Sequence, residues 1–107
     1  MAETYKNLGQ SQIPNAPTVI YTVPALTQAI AKFMNVSSPE TNLGAATVKI
    51  WKQGAVDANL ILPAISLGIG EFAEWDGTMT MEAGDTLQAE SDTNNALTIT
   101  IDGVEIT

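Results

Sequence analysis

Apolar and polar residues alternate one by one through the last third of the chain. Thr78-Met79-Thr80-Met81, Thr86-Leu87-Gln88-Ala89-Glu90 and Ala96-Leu97-Thr98-Ile99-Thr100-Ile101 each place apolar side chains at every second position. Successive side chains of a strand point to opposite faces, so each run describes a strand with one face on a core and the other in water. Asp76-Gly77, Ala83-Gly84-Asp85 and Asp102-Gly103 punctuate these runs. They predict the turns of an antiparallel meander, with a short closing strand at residues 104–106.

The same reading extends upstream. Residues 18–23 are rich in β-branched and aromatic side chains and stop at Pro24, which predicts a strand. Residues 25–36 carry two periods at once: Leu26, Ala29, Ile30 and Phe33 fit a helix, whereas Ile30, Lys32, Met34 and Val36 share one face of a strand. A strand is the reading adopted, because every neighbouring element is β and a single helix would fit poorly between sheets. A loop follows at 37–45. Residues 46–52 predict a strand with Val48 and Ile50 on one face and Lys49 and Trp51 on the other. A turn at Gly54, a strand at 59–62 ended by Pro63 and a strand at 71–75 complete the set.

Residues 1–17 contain Gly9, Pro14, Asn15 and Pro17 and hold no period. They read as an extended N-terminal arm, which leaves Tyr5, Leu8 and Ile13 with no element of their own to bury them. Eight or nine short strands at this spacing predict an all-β fold, a single-domain antiparallel β-sandwich of jelly-roll or immunoglobulin-like type over residues 18–107. The alternation assigns Val19, Tyr21, Val48, Ile50, Leu60, Leu87, Leu97, Ile99 and Ile101 to its core.

Composition narrows the chemistry. The 107 residues include neither histidine nor cysteine. That removes the usual general base, the thiolate nucleophile and the common zinc ligands, and it excludes a histidine-based serine triad. Glu71, Glu74, Asp76, Glu82 and Asp85 crowd together, but acids beside turns and on solvent faces are ordinary, so no catalytic pair is assigned. Asp76, Glu82, Asp85 and Asp92 offer oxygen ligands of the kind calcium takes, yet no Asp-x-Asp-x-Asp-Gly loop is present and turn formation explains them. Gly68-Ile69-Gly70 lacks the lysine and helix of a phosphate loop. The expectation is therefore no catalytic residue, no cofactor and no metal.

Charge separates along the chain, at net +1 over residues 1–70 and −9 over residues 71–107. Such an acidic half repels phosphate and anionic lipid, which argues against nucleic-acid and membrane partners. The first residues carry no basic segment followed by an apolar core, and no apolar run approaches bilayer length, so neither a signal peptide nor a membrane span is expected. Trp51 and Trp75 fit core or interface packing better than a sugar platform.

Six short motifs recur here in a fixed order: Tyr5-Lys6-Asn7-Leu8-Gly9-Gln10, Ile20-Tyr21-Thr22-Val23-Pro24-Ala25, Asn35-Val36-Ser37, Trp75-Asp76-Gly77, Gly84-Asp85-Thr86-Leu87 and Gly103-Val104-Glu105-Ile106. In that order, and over nearly the whole chain, they resemble a group of small structural proteins of tailed bacteriophages. The resemblance implies a non-enzymatic β-sandwich of the virion, a capsid decoration or cement protein that sits on the outer face of the head and clamps major capsid subunits, as a homo-oligomer such as a dimer or trimer. A tail, fibre or receptor-contacting module, including a carbohydrate-binding one, is the alternative. For a partner interface the candidates are Tyr5, Leu8 and Ile13 of the arm with Lys49, Trp51 and Lys52 of the predicted strand at 46–52, aromatic and cationic groups on an otherwise acidic domain.

Overall fold

A computed structural model describes residues 3–39, 44–54 and 57–107, with the backbone alone for Asp57 and Pro63. Its elements are β1 (Glu3–Gln12), β2 (Thr18–Thr22), β3 (Gln28–Ser37), β4 (Ala46–Lys52), a 3-10 turn (Asp57–Asn59), β5 (Leu60–Leu67), β6 (Phe72–Met81), β7 (Thr86–Ser91) and β8 (Thr98–Ile106). The strands form two four-stranded sheets, ordered β1-β8-β3-β6 and β2-β7-β4-β5. Their pairing is nested: β4 pairs with β5, β3 with β6, β2 with β7 and β1 with β8, all antiparallel. One long hairpin thus wraps over itself, alternate pairs going to opposite sheets, and the result is the jelly-roll form of the expected sandwich.

The core lies between the sheets. Tyr21, Val48, Ile50, Leu87, Leu97, Ile99 and Ile101 are buried there as the alternation predicts, joined by Ile13, Met34, Val36 and Met81. Val19 is exposed instead. The β2–β7 register shifts between Val19 and Tyr21, making Ile20 the extra residue of a bulge. Val19 therefore stands beside Gln88 on the outer face, while Tyr21 stands beside Leu87 on the inner one. Leu60 is only partly buried, at the start of edge strand β5 and opposite Trp51.

The expected arm is an edge strand over Glu3–Gln12, paired along its length with β8. It hides few side chains, Leu8 alone being buried. That is why no period shows in its sequence: backbone hydrogen bonds, not a buried stripe, hold it. Beyond it, the chain crosses between sheets at Ile13, whose N–H donates to the Leu97 carbonyl at 2.8 Å and whose carbonyl accepts from Asn95 at 2.9 Å. Leu8 and Ile13 both enter the core cluster.

Two expected turns are not turns. Asp76-Gly77 lies inside β6 and Asp102-Gly103 inside β8, so the pairs of short strands predicted around them are single strands of ten and nine residues. Each pair marks a register shift. Against β8, Leu8 is the extra residue on β1, between the partners of Asp102 and Ile101, and Lys32 is the extra residue on β3, between the partners of Gly103 and Asp102. Opposite Lys32, β6 carries an extra residue between Asp76 and Met79. The bulges form a line across the whole sheet, and Gly103 sits at its centre because β3 comes too close for a side chain: a Cβ there would lie 2.1 Å from the Ile30 carbonyl oxygen. Past its bulge, β3 turns Ala29 and Ala31 inward on one side and Met34 and Val36 on the other, which splits the predicted face. Similarly, β5 runs through Pro63, where two residues oppose Lys49 alone. Ala83-Gly84-Asp85 is a turn as expected, with Gly84 at φ 89°. Parts of the predicted loop 37–45 (residues 40–43) and of the turn near Gly54 (residues 55–56) lie outside the described residues.

Candidate functional site

The six candidate interface residues do not form one patch. Leu8 and Ile13 pack in the core. Trp51 lies outside the core cluster yet is only 5% exposed, so it offers no free ring. Lys49 stands on the outer face of the β2-β7-β4-β5 sheet, opposite Glu90. Lys52 falls on the inner side of its strand and reaches across the sandwich, its Nζ donating to the Thr80 carbonyl of β6 at 3.1 Å. Tyr5 is 77% exposed on β1, in the other sheet, in a cross-strand row with Val104 and Ile30.

Of the acids weighed as calcium ligands, Asp85 and Asp92 hold the backbone. Asp85 accepts from the Glu82 N–H at 2.9 Å and from the Gln53 side chain. Asp92 accepts from the Thr47 N–H at 2.8 Å, while its own N–H donates to the Thr47 carbonyl. Glu82 accepts from the Gln28 amide at 2.9 Å. Among the described residues no three acidic side chains converge as a metal site would require. In the Gly68-Ile69-Gly70 corner, the Gly68 N–H donates to the Glu71 carboxylate, which occupies the place a phosphate would take.

One polar cluster ties the two sheets together. Tyr21 on β2 donates its hydroxyl to Glu105 on β8 at 2.6 Å, and Lys6 on β1 pairs with the other carboxylate oxygen at 3.1 Å. Partial burial, with the carboxylate beside it, pushes the Tyr21 hydroxyl far above its ordinary value. The Tyr21 hydrogen bond, aided by Lys6, holds Glu105 below its usual range. A shallow depression bounded by Tyr5, Lys6, Lys32, Asp102 and Gly103 adjoins the cluster. Its role is to pin β1 and β2 to β8.

The surface is unusual in where it places apolar groups. Large exposed apolar side chains among the described residues are Tyr5 on β1, Val19 on β2, Leu26 after β2, Ile69 between β5 and β6, and Phe72 on β6. Leu26 is 95% exposed and sits at φ 59°, the left-handed conformation that leucine adopts only at a cost. It borders a shallow hollow at the end of the sandwich with Gln28, Glu82 and Ile106. Neither tryptophan is among these exposed groups: Trp51 is buried and Trp75 packs partly against the core. The sugar-platform alternative thereby loses the Trp51 ring, while Trp75 keeps part of its surface open. Sequence alternation had no means of finding Leu26, which belongs to a turn and not to a strand face.

No protein-family model matches the sequence, and no curated protein matches it either. Among solved structures, the fold is similar to that of a protein of the Bacillus endospore appendages, which form a family of disulfide-linked pili. The two superpose with a TM-score of 0.54 at 15% identity, over 99% of this chain and 87% of that one. A pentameric capsid protein isolated from metagenomic phage sequences is a weaker match, in two structures. The first gives a TM-score of 0.31 at 16% identity over 96% of this chain and 60% of that one. The second gives 0.31 at 17%, over 96% and 58%. At these identities the likeness to the appendage protein is one of fold, and the absence of cysteine here means that disulfide linkage is not shared.

Proposed function

We propose that the chain is a non-enzymatic structural protein of a tailed-phage virion, a decoration protein that docks on the outer face of the head and stabilises the major capsid lattice. The order of short motifs across the sequence supports the class, and so does a sequence with no histidine or cysteine to catalyse or to ligate. The observation that carries the docking is Leu26. A leucine exposed on a left-handed backbone is unfavourable twice over, once in water and once in φ/ψ, and among the described residues nothing covers its side chain. A partner that buries the side chain offsets that cost. The end of the sandwich bearing Leu26 is then the face turned to the capsid.

The test uses heads depleted of the chain and recharged with purified protein. Leu26→Asn suits the left-handed conformation better, so the isolated domain melts at the wild-type temperature or slightly above it, while occupancy on heads falls at least tenfold. Unchanged occupancy, or a location on the tail in a map of the particle, overturns the reading.

A further inference from the structure

The two flanks of the sandwich are not alike. At one, β1 and β2 approach each other and close the core. At the other, β5 and β6 do not approach to the same extent among the described residues, and their inner side chains Ile61, Leu62, Ile65, Ala73, Trp75 and Met79 are only partly buried. Exposed strand edges invite pairing with another chain, and proteins that remain single guard them with charges, proline or short strands. Here β5 carries no charged residue over its eight positions and has Pro63 as its one guard. Of the five large apolar side chains left exposed among the described residues, four decorate these flanks: Tyr5 and Val19 on one, Ile69 and Phe72 on the other.

We infer that the β5/β6 flank of one copy is completed by the β1/β2 flank of a second copy, continuing both sheets edge to edge. Strand direction permits it. Each sheet has four strands alternating in direction, so a copy displaced sideways presents β1 antiparallel to β6 and β2 antiparallel to β5. Lengths agree in the main ladder, where β1 and β6 are ten residues each. Pro63 interrupts the second ladder, which five-residue β2 spans only in part.

Charge selects this partner over a two-fold pair. In a chain of net charge −8, copies repel unless the touching surfaces are exempt. β6 holds Glu74 and Asp76 with no base, so a flank meeting its own equivalent opposes acid to acid. β1 carries one acid, Glu3, and one base, Lys6, whose ammonium also pairs with Glu105, and β2 carries no charge. Joining unlike flanks leaves the acids of β6 beside a neutral edge that contains a lysine. Such a contact does not close on itself after one step, so it builds rows or rings of copies, not a fixed pair. The inference is independent of docking to a capsid, because it concerns the purified chain alone.

Two double variants test it. Tyr5→Lys with Val19→Lys blocks one flank, and Ile69→Lys with Phe72→Lys blocks the other; all four positions are exposed, and each pair lowers the net negative charge, so lost association is not general repulsion. Sedimentation of the wild-type chain is expected to show mass rising with concentration beyond two copies. Each variant alone stays at the mass of one chain, and an equimolar mixture gives a pair. Association of either variant alone, a mixture that stays single, or a wild-type chain that remains single at its highest soluble concentration overturns the inference. Should a variant lose its sheet signal in circular dichroism, hydrogen exchange of the wild-type chain decides. Protection of the outer amides of β1 and β6 that grows with concentration supports the contact; protection that does not change refutes it.

Discussion

Replacing Gly103 by alanine adds one methyl group at the point where β8, β3 and β1 crowd together. That Cβ meets the Ile30 carbonyl oxygen at 2.1 Å and Leu8 Cδ1 at 3.0 Å. Leu8 can turn aside, but the carbonyl belongs to the backbone of a central strand that is paired on both sides. Relief requires β3 to retreat by roughly 1 Å over the contact distance of nonbonded atoms, which stretches its ladder to β8. Overpacking of this kind costs typically 1–3 kcal/mol, and a backbone neighbour places Gly103→Ala at about 3 kcal/mol. Gly44 provides the internal control, being exposed with nothing within 4 Å of an added Cβ, so Gly44→Ala should change stability by less than about 0.5 kcal/mol. Urea unfolding of wild type and both variants measures the difference, with the slope checked for constancy. Should the two substitutions prove equally mild, the close approach of β8 and β3 is wrong, and with it the alignment of bulges across the sheet.

Four other substitutions probe the core, the cluster between the sheets and the end of β7. Ile99→Ala, at a fully buried position of β8, should cost about 2–5 kcal/mol in the same unfolding assay, and a loss under about 1 kcal/mol contradicts its place in the core. Tyr21→Phe removes a hydrogen bond to a carboxylate and should lower stability by about 2 kcal/mol at neutral pH, a difference that the Tyr21→Phe/Glu105→Gln double-mutant cycle must attribute to the pair. Glu105 is held below its ordinary value of 4.5, so its contribution is present above pH 4.5 and disappears as the pH falls further. Glu105→Gln should therefore flatten the acid limb of the stability curve. Tyr21 is raised above 10, so its contribution persists below pH 10 and is lost as the pH rises beyond that. Tyr21→Phe should flatten the alkaline limb. Asp92→Ala removes one of the two hydrogen bonds between the β7 end and Thr47, and about 1 kcal/mol should go with it.

What the sequence made legible, and what it hid, divides along a physical line. Strands with one buried face announce themselves, which is why β7 and the first half of β8 could be read from alternation alone. β1 could not, because an edge strand whose side chains are mostly in water has no period to display. Its membership of the sheet is a matter of backbone pairing with β8, and that is invisible in side-chain pattern. Leu8 and Ile13 looked homeless for a related reason: Leu8 belongs to that edge strand and Ile13 to the crossing just beyond it, and both side chains enter the core. Trp51 was correctly placed off the face of Val48 and Ile50, but alternation gives a direction and not an exposure, and the ring is covered.

The misread turns come from a real ambiguity in Asp-Gly. The pair supplies a tight turn between two strands, and it equally suits a bulge within one, since both need a residue without steric demands beside a local break in the ladder. Spacing does not separate the cases, because 104–106 is long enough to be a closing strand and short enough to be the tail of a longer one. What separates them is the neighbours. A turn at Asp102-Gly103 would leave Tyr5, Lys6, Gln28 and Ile30 without the partners that Val104, Gly103 and Ile106 supply in the structure. Because the extra residues on β1 and β3 lie within one position of each other along β8, the sheet keeps its inner face apolar on both sides of the break: Ala29 and Ala31 before it on β3, Met34 and Val36 after it. An isolated bulge in one strand would have turned half of its neighbours' apolar side chains into water. The line of bulges, and the glycine at its centre, is therefore a collective solution that no single strand's sequence could disclose.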